Sequence, residues 1–215
     1  MAKIYVLAGV ERCDFTYYLG KILSVGGHTV LLIDNSISHD LFLSVAKMDK
    51  GVKFVNQKNI TYLKDAAYSE SLYNMYDFVL VYQGMRIDKE EISVATHVYF
   101  FPDFLPITLQ TLGETGFNIG RFENSSLIFR DQTASKISSL NAATIMDVPR
   151  ERVDGAIPYD YKDYGMYVSL AHNGQQSIKE LSPSFMEALM YVAGSILDVT
   201  GTKDLKGIMK KARKV

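Results

Sequence analysis

Seven residues between an apolar run and a helical pattern carry the densest chemistry of the chain: Ala8-Gly9-Val10-Glu11-Arg12-Cys13-Asp14. A turn from strand to helix presents backbone N–H groups and a helix N-terminus on one side, which suits a phosphate or another anion. Arg12 adds a fixed positive charge with a planar head. It has two readings: an anion contact at the helix start, or a plain ion pair with Glu11 or Asp14. Cys13 has two as well: a thiol of lowered pKa, or a small residue that fills the loop. Glu11 opposes anion binding, because two like charges about 4 Å apart repel by on the order of 1 to 4 kcal/mol, depending on solvation. His28, His39, His97 and His172 are scattered without ligand spacing, so no metal site is expected. No nucleophile–base set is legible, and no catalytic residue is assigned.

The elements that would position this loop read as an alternation. Ile4-Tyr5-Val6-Leu7 and Val30-Leu31-Leu32-Ile33 are unbroken apolar runs, the pattern of strands buried on both faces of a parallel sheet. Between them Leu19, Ile22 and Leu23 have helical spacing, with Asp14 as the expected cap and Gly26-Gly27 as the stop. Further strands are expected at Phe78–Val81, Val98–Phe101, Ser126–Phe129 and Val153–Ile157, with a short one at Lys53–Val55. Helices are expected at Tyr62–Met75, Leu105–Leu112, Lys136–Ala143, Tyr161–Ala171 and Ser184–Leu197, the last capped by Ser182 with Pro183 at its first position. Strands alternating with helices imply an α/β fold: a mostly parallel sheet with helices on both faces. One domain is expected over residues 1–198.

In such sheets ligands sit beyond the carboxyl ends of the strands. The residues there are Gly9 to Asp14, Asp34, Tyr82, Arg130 and Pro158. Asp34 reads as a cap or turn residue. Tyr159, Tyr161, Tyr164 and Tyr167 follow on the same face, and half-exposed tyrosines are frequent in protein interfaces; Tyr159, Tyr161 and Tyr164 are taken as partner-binding candidates. The alternative is packing along the sheet edge. The last segment, residues 199–215, is a basic amphipathic tail. Its Leu205, Ile208, Met209 and Ala212 share one helical face among Lys203, Lys206, Lys210, Lys211, Arg213 and Lys214. It reads either as a membrane-contacting helix using Leu205, Ile208, Met209, Lys210 and Lys211, or as a solvated last helix.

Composition narrows the classes. With 47% hydrophobic and 22% charged residues, the chain is that of a folded protein with an ample core. A net charge of −1 gives no global attraction to nucleic acid, so nucleic acid is an unexpected partner. A single cysteine excludes an internal disulfide and fits a reducing, cytoplasmic setting. No apolar run reaches the roughly 20 residues of a membrane-spanning helix.

The order of segments resembles the MinD/ParA group of deviant P-loop ATPases. The resemblance rests on Gly27-His28-Thr29-Val30-Leu31-Leu32-Ile33-Asp34 against "G-x-x-V-L-L-I-D". It continues through Tyr76-Asp77-Phe78-Val79-Leu80-Val81-Tyr82 against a strand that ends in Asp, and Gly155-Ala156-Ile157-Pro158-Tyr159-Asp160 against "G-x-I-P-x-D". It implies a P-loop NTPase architecture and sets Gly9 to Asp14 where the family cradles phosphates. The departures imply loss of that chemistry. Arg12 stands for the lysine, Glu11 for the glycine before it, and Cys13 for the magnesium-binding hydroxyl residue, a soft group ill-suited to Mg²⁺. Leu7 stands for the signature lysine, Tyr82 for the aspartate, Ser36 for a second acid, and Arg130 for the adenine-facing Asn. Phosphoryl transfer depends on lysine and metal for positioning and charge. The expectation is a pseudo-ATPase without cofactor, a scaffolding or positioning factor for a pilus, secretion, division or partition assembly, forming a homodimer with protein partners and touching the inner membrane face peripherally if at all. The alternative is a divergent ATPase that binds ATP with Mg²⁺ and switches between free and membrane- or DNA-bound states.

Overall fold

The computed structural model describes residues 1–47, 49, 51–114, 123–174, 176–198 and 202–214. Eight strands form one sheet: β1 (Lys3–Gly9), β2 (Val30–Asp34), β3 (Phe54–Gln57), β4 (Ile60–Lys64), β5 (Phe78–Gly84), β6 (His97–Phe101), β7 (Ser125–Gln132) and β8 (Val153–Pro158). Their order across the sheet is β3-β4-β2-β5-β1-β6-β7-β8. Every neighbouring pair is parallel except β3 with β4. The helices among the described residues are α1 (Asp14–Val25), α2 (Asp40–Val45), α3 (Glu70–Tyr73), α4 (Lys89–Val94), α5 (Pro106–Glu114), α6 (Ser139–Ile145), α7 (Tyr161–Asn173), α8 (Pro183–Leu197) and α9 (Thr202–Ala212).

The alternation of side chains along a strand divides the core in two. Tyr5 and Leu7 of β1 face a cluster built with α1, α2, α7, α8 and α9. Ile4, Val6 and Ala8 face a second cluster with Ile92 of α4, Leu109 and Leu112 of α5, and Ala142 and Ala143 of α6. Both faces are covered, which is why the central strands read as continuous apolar runs.

The segment Tyr62–Met75, expected as a helix, is β4 followed by a loop and the short α3. Ile60 and Tyr62 are buried while Thr61 and Leu63 are half-buried, a period of two rather than 3.6. Pairing with β2 on one side and β3 on the other overrides the local helical pattern. The β3–β4 hairpin closes over Lys58 and Asn59, with Lys58 in the left-handed region at φ 54°. Ser69 caps α3 by accepting from the Leu72 N–H. Asp14, expected to cap α1, is instead its first residue; Cys13 occupies the cap position and makes no side-chain cap bond. Ser182 and Pro183 open α8 as expected.

The expected free tail is corrected more strongly. Leu205, Met209 and Ala212 of α9 are buried, and Ile208 is half-buried against the same cluster. Leu205 packs over Gly194 of α8, where an added Cβ would stand 3.3 Å from its Cδ2. Ile208 Cδ1 lies 3.6 Å from the position a Cβ would take on Gly26, at the end of α1. The amphipathic pattern therefore marks docking onto α1 and α8, and Lys206, Lys210, Lys211 and Lys214 are left facing solvent. The expected boundary near Val199 lies outside the described residues. Deleting residues 202–215 uncovers this apolar seat, and we expect urea unfolding to read a loss of about 3 kcal/mol, set by one Leu and one Met side chain returned to water. No helix among the described residues is long and apolar enough to cross a membrane.

Candidate functional site

The loop after β1 is held from within. Gly9 has φ 134°, and its backbone runs so close to β6 that an added Cβ would stand 2.2 Å from the Phe101 carbonyl oxygen. The Val10 N–H donates to that same oxygen at 3.0 Å. The Arg12 N–H donates to the Val10 carbonyl at 2.7 Å. The Cys13 N–H donates to Asp40 Oδ2 at 3.1 Å, and the Phe15 N–H to Asp14 Oδ1 at 2.8 Å. The N–H groups of Val10, Arg12, Cys13 and Phe15 thus already have acceptors, two of them the chain's own carboxylates.

Glu11 completes this arrangement. Its Oε1 accepts from the Met85 N–H at 2.8 Å, and its Oε2 from the Ser38 hydroxyl at 2.9 Å. Gly84 makes the room: a Cβ there would meet Glu11 Oε1 at 2.2 Å, and the residue has φ 54°. The expected Glu11–Arg12 pair does not form, because Glu11 is turned toward the ends of β2 and β5. Two tyrosines brace the same loop from above. Tyr167 Oη donates to the Glu11 carbonyl at 3.3 Å, and buried Tyr82 Oη donates to the Val10 carbonyl at 3.5 Å. The space left between Val10, Arg12, Phe15, Tyr82, Phe101 and Arg130 is about 10 Å³, roughly one water.

On the other side stands a four-membered ion network. Arg130 donates to both oxygens of Asp14, at 3.1 and 3.0 Å, and each side chain is 1% exposed. Arg12 donates to Asp14 Oδ2 at 3.0 Å and to both oxygens of Asp131, at 2.8 and 2.7 Å. The Arg12 guanidinium also lies over the rings of Tyr164 and Tyr167, at 5.6 and 5.2 Å, and Arg130 lies 4.9 Å from the Phe185 ring. Burial alone would push the Asp14 carboxyl up, but Arg130 and Arg12 outweigh it and hold it below the ordinary range. Burial likewise disfavours charge on Arg12, and Asp14 and Asp131 reverse that, so its pKa is raised. Of the two readings of Arg12, the ion pair is the one formed, with Asp14 and Asp131. Arg130, which stands where the resembled family has an adenine-facing Asn, is buried against Phe185 of α8 with its guanidinium held by Asp14.

Asp34 is buried at the end of β2 and accepts from Ser36 N–H at 3.1 Å, Ser36 Oγ at 2.6 Å and Phe42 N–H at 2.8 Å. It is a turn residue, as expected, and it anchors α2. Burial pushes its carboxyl up to about 6 despite these donors. Between about pH 4 and pH 6 the folded chain therefore binds a proton that the unfolded chain has released. The sign follows: Asp34 weakens the fold as pH rises through that window. Relative to Asp34→Asn, we expect wild-type stability to fall by about 2 to 3 kcal/mol between pH 4 and pH 7, read by urea titrations at each pH. Cys13 is fully buried, and burial, then Asp40 and Asp14, drive its thiol well up, which leaves it inert.

The residues beyond β8 are the open part of the face. Pro158 ends the strand opposite Gln132. Tyr159, Tyr161 and Tyr164 are 50%, 71% and 47% exposed, so they do not pack along the sheet edge. Asp160 caps α7 beneath them through the Lys162 N–H. Sequence reasoning missed Asp131, Asp40, Ser38 and Tyr167 as partners of the loop. Asp131 and Asp40 were visible as charged residues just past apolar segments, but which group each would meet depends on the sheet order. Among the described residues no three His, Cys, Asp or Glu side chains are grouped so as to hold a metal ion.

The chain matches no protein-family model and no curated protein. Solved structures do match, over nearly its full length. The MinD cell division protein of Aquifex aeolicus aligns with TM-score 0.63 at 17% identity, covering 93% of this chain and 99% of that one. A putative plasmid partition protein of Borrelia burgdorferi B31, bound to AMPPNP, aligns with TM-score 0.59 at 15% identity, covering 92% and 98%. A ParA family ATPase of Chlorobium tepidum TLS aligns with TM-score 0.53 at 13% identity, covering 98% and 97%. At these identities the likeness is one of fold: the mostly parallel eight-stranded sheet with its helices matches the α/β P-loop NTPase architecture of MinD and ParA proteins.

Proposed function

We propose that this chain is a MinD/ParA-fold protein without ATPase activity, which serves as a scaffolding or positioning factor in a larger assembly. One observation carries the reading: N–H groups at the loop after β1 and the start of α1 already bond the chain's own carboxylates, Asp40 and Asp14. Asp40 takes the Cys13 N–H, and Glu11 is fixed beside the loop by Ser38 and Met85. A triphosphate approaching it would meet negative charge and bound donors, and no lysine. Arg12 is already committed to two carboxylates, so it is not free to neutralise a phosphate. The neighbours lend the class of role. One is a MinD cell division protein, another is MinD in complex with MinC, and a third is a plasmid partition protein.

The partner surface in this reading is the exposed tyrosine group at the start of α7, with Tyr161 at its tip. Tyrosines bring contact area with little side-chain entropy to lose. The test is isothermal titration of ATP and ADP, with and without Mg²⁺, beside a turnover assay. We expect no saturable heat up to about 1 mM nucleotide, where a Kd of that size corresponds to roughly −4 kcal/mol. Mg²⁺-dependent saturation at micromolar nucleotide, or phosphate release above background, would end the proposal in favour of a divergent ATPase. Analytical ultracentrifugation of wild type against Tyr159→Ala/Tyr161→Ala reads separately whether the same surface joins two copies.

A further inference from the structure

Along α1, from Tyr17 near its start to Ser24 near its end, lies a hollow of about 200 Å³, lined by Tyr17, Lys21, Ser24, Lys58, Ile60 and Tyr62. It opens between α1 and the β3–β4 hairpin. Two lysines, Lys21 and Lys58, line it. Lys58 projects from the hairpin turn, and its charge, after burial, is what lowers the pKa of Lys21. Neither lysine makes a salt bridge among the described residues. The Lys21 ammonium is held by the Gln176 carbonyl, to which it donates at 3.1 Å, and lies 6.0 Å from the Tyr17 ring. The backbone N–H of Gln176 bonds to the Tyr17 hydroxyl. The backbone of one residue, Gln176, thus meets both a cation and a phenol on the wall. Ile60 and Tyr62 are buried and give the wall opposite an apolar, aromatic surface.

Two like charges that line one hollow repel, and Lys21 is held there while Lys58 reaches in from an exposed turn. What relieves the repulsion is an anion between them. The aromatic walls add a preference for a ligand with a flat apolar part. Gln57 stands between this hollow and a second of about 250 Å³ that Lys47 also lines, which gives a longer ligand room to extend.

We propose that this hollow is a binding site for a small organic anion, a phosphate or carboxylate joined to an aromatic or short acyl group, gripped by Lys21 and Lys58. It is independent of the loop after β1 and of whether that loop binds nucleotide.

The experiment is a two-dimensional amide NMR titration of the full chain with phenyl phosphate, benzoate and inorganic phosphate. With phenyl phosphate or benzoate we expect saturable shifts at Ser24, Lys58 and Ile60, and none at Gly9 to Asp14. Inorganic phosphate should bind more weakly than phenyl phosphate. Lys58→Gln, at an exposed position that the fold tolerates, should weaken binding about fivefold or more, and Lys58→Glu should abolish it. Burial, then Lys58, lower the pKa of Lys21, and an anion favours its charged form, so affinity should fall as alkaline pH removes that proton. Absence of shifts at the hollow, shifts unchanged in Lys58→Glu, or shifts centred on the loop after β1 would each overturn the proposal.

Discussion

Asp14→Ala is expected to destabilise the chain by about 4 to 5 kcal/mol, and Arg130→Met by only about 2 to 3 kcal/mol. The asymmetry comes from who is left behind. Removing Asp14 strands Arg130, a guanidinium 1% exposed, with no carboxylate, while Arg12 retains Asp131. Removing Arg130 leaves Asp14 still held by Arg12 at 3.0 Å and by the Phe15 N–H at 2.8 Å. An uncompensated buried charge is the larger penalty. The double variant Asp14→Leu/Arg130→Met should recover part of the loss, because an apolar pair needs no desolvated charge. The pH dependence gives a second handle. The folded pKa of Asp14 is depressed, so its contribution is present above the unfolded value and lost as pH falls through the folded one. Wild type and Asp14→Ala should therefore converge in acid, as urea titrations at pH 7 and below pH 4 would read. Equal effects of the two single variants would show that Arg12 does not hold Asp14 in Arg130's absence.

How much of this was readable in the sequence depends on the range of each interaction. The central strands were legible because both faces of the sheet are covered, so their residues are apolar without a break. β4 was not, because Tyr62-Leu63-Lys64 has no local mark of a strand until β2 and β3 lie beside it. The tail shows the same limit. An apolar stripe among lysines looks alike whether it faces lipid or α1 and α8, and the packing of Leu205 on Gly194 and of Ile208 by Gly26 distinguishes them. The residue types at Glu11, Arg12 and Cys13 were legible, but the groups that each would meet were not. Asp40 is 27 residues from Cys13, and Asp131 is 119 residues from Arg12, so the partners that occupy the loop are a product of sheet order. Sheet order is set by crossover connections that local pattern does not encode.

Gly9→Ala provides the sharpest test of what the loop after β1 is for. In a working phosphate loop a glycine is required by the ligand, and loss of binding would be the main effect. Here the requirement is internal. The residue has φ 134°, where a side chain is strained, and a Cβ would meet the Phe101 carbonyl oxygen at 2.2 Å, a backbone atom that cannot step aside. β1 would have to separate from β6 at its carboxyl end, breaking the Val10 N–H bond to the same oxygen. We expect a loss of about 3 to 6 kcal/mol, the sum of backbone strain and overpacking. That is a large part of the 5 to 15 kcal/mol typical of a whole domain. Gly84→Ala, whose Cβ would meet only the flexible end of Glu11, should cost less, because that carboxylate can swing away. The double variant Gly84→Ala/Glu11→Ala should then be no worse than Glu11→Ala apart from the strain at φ 54°. If Gly9→Ala were as stable as wild type, the close approach of β1 to β6 would be wrong, and with it the picture of a loop closed by its own chain.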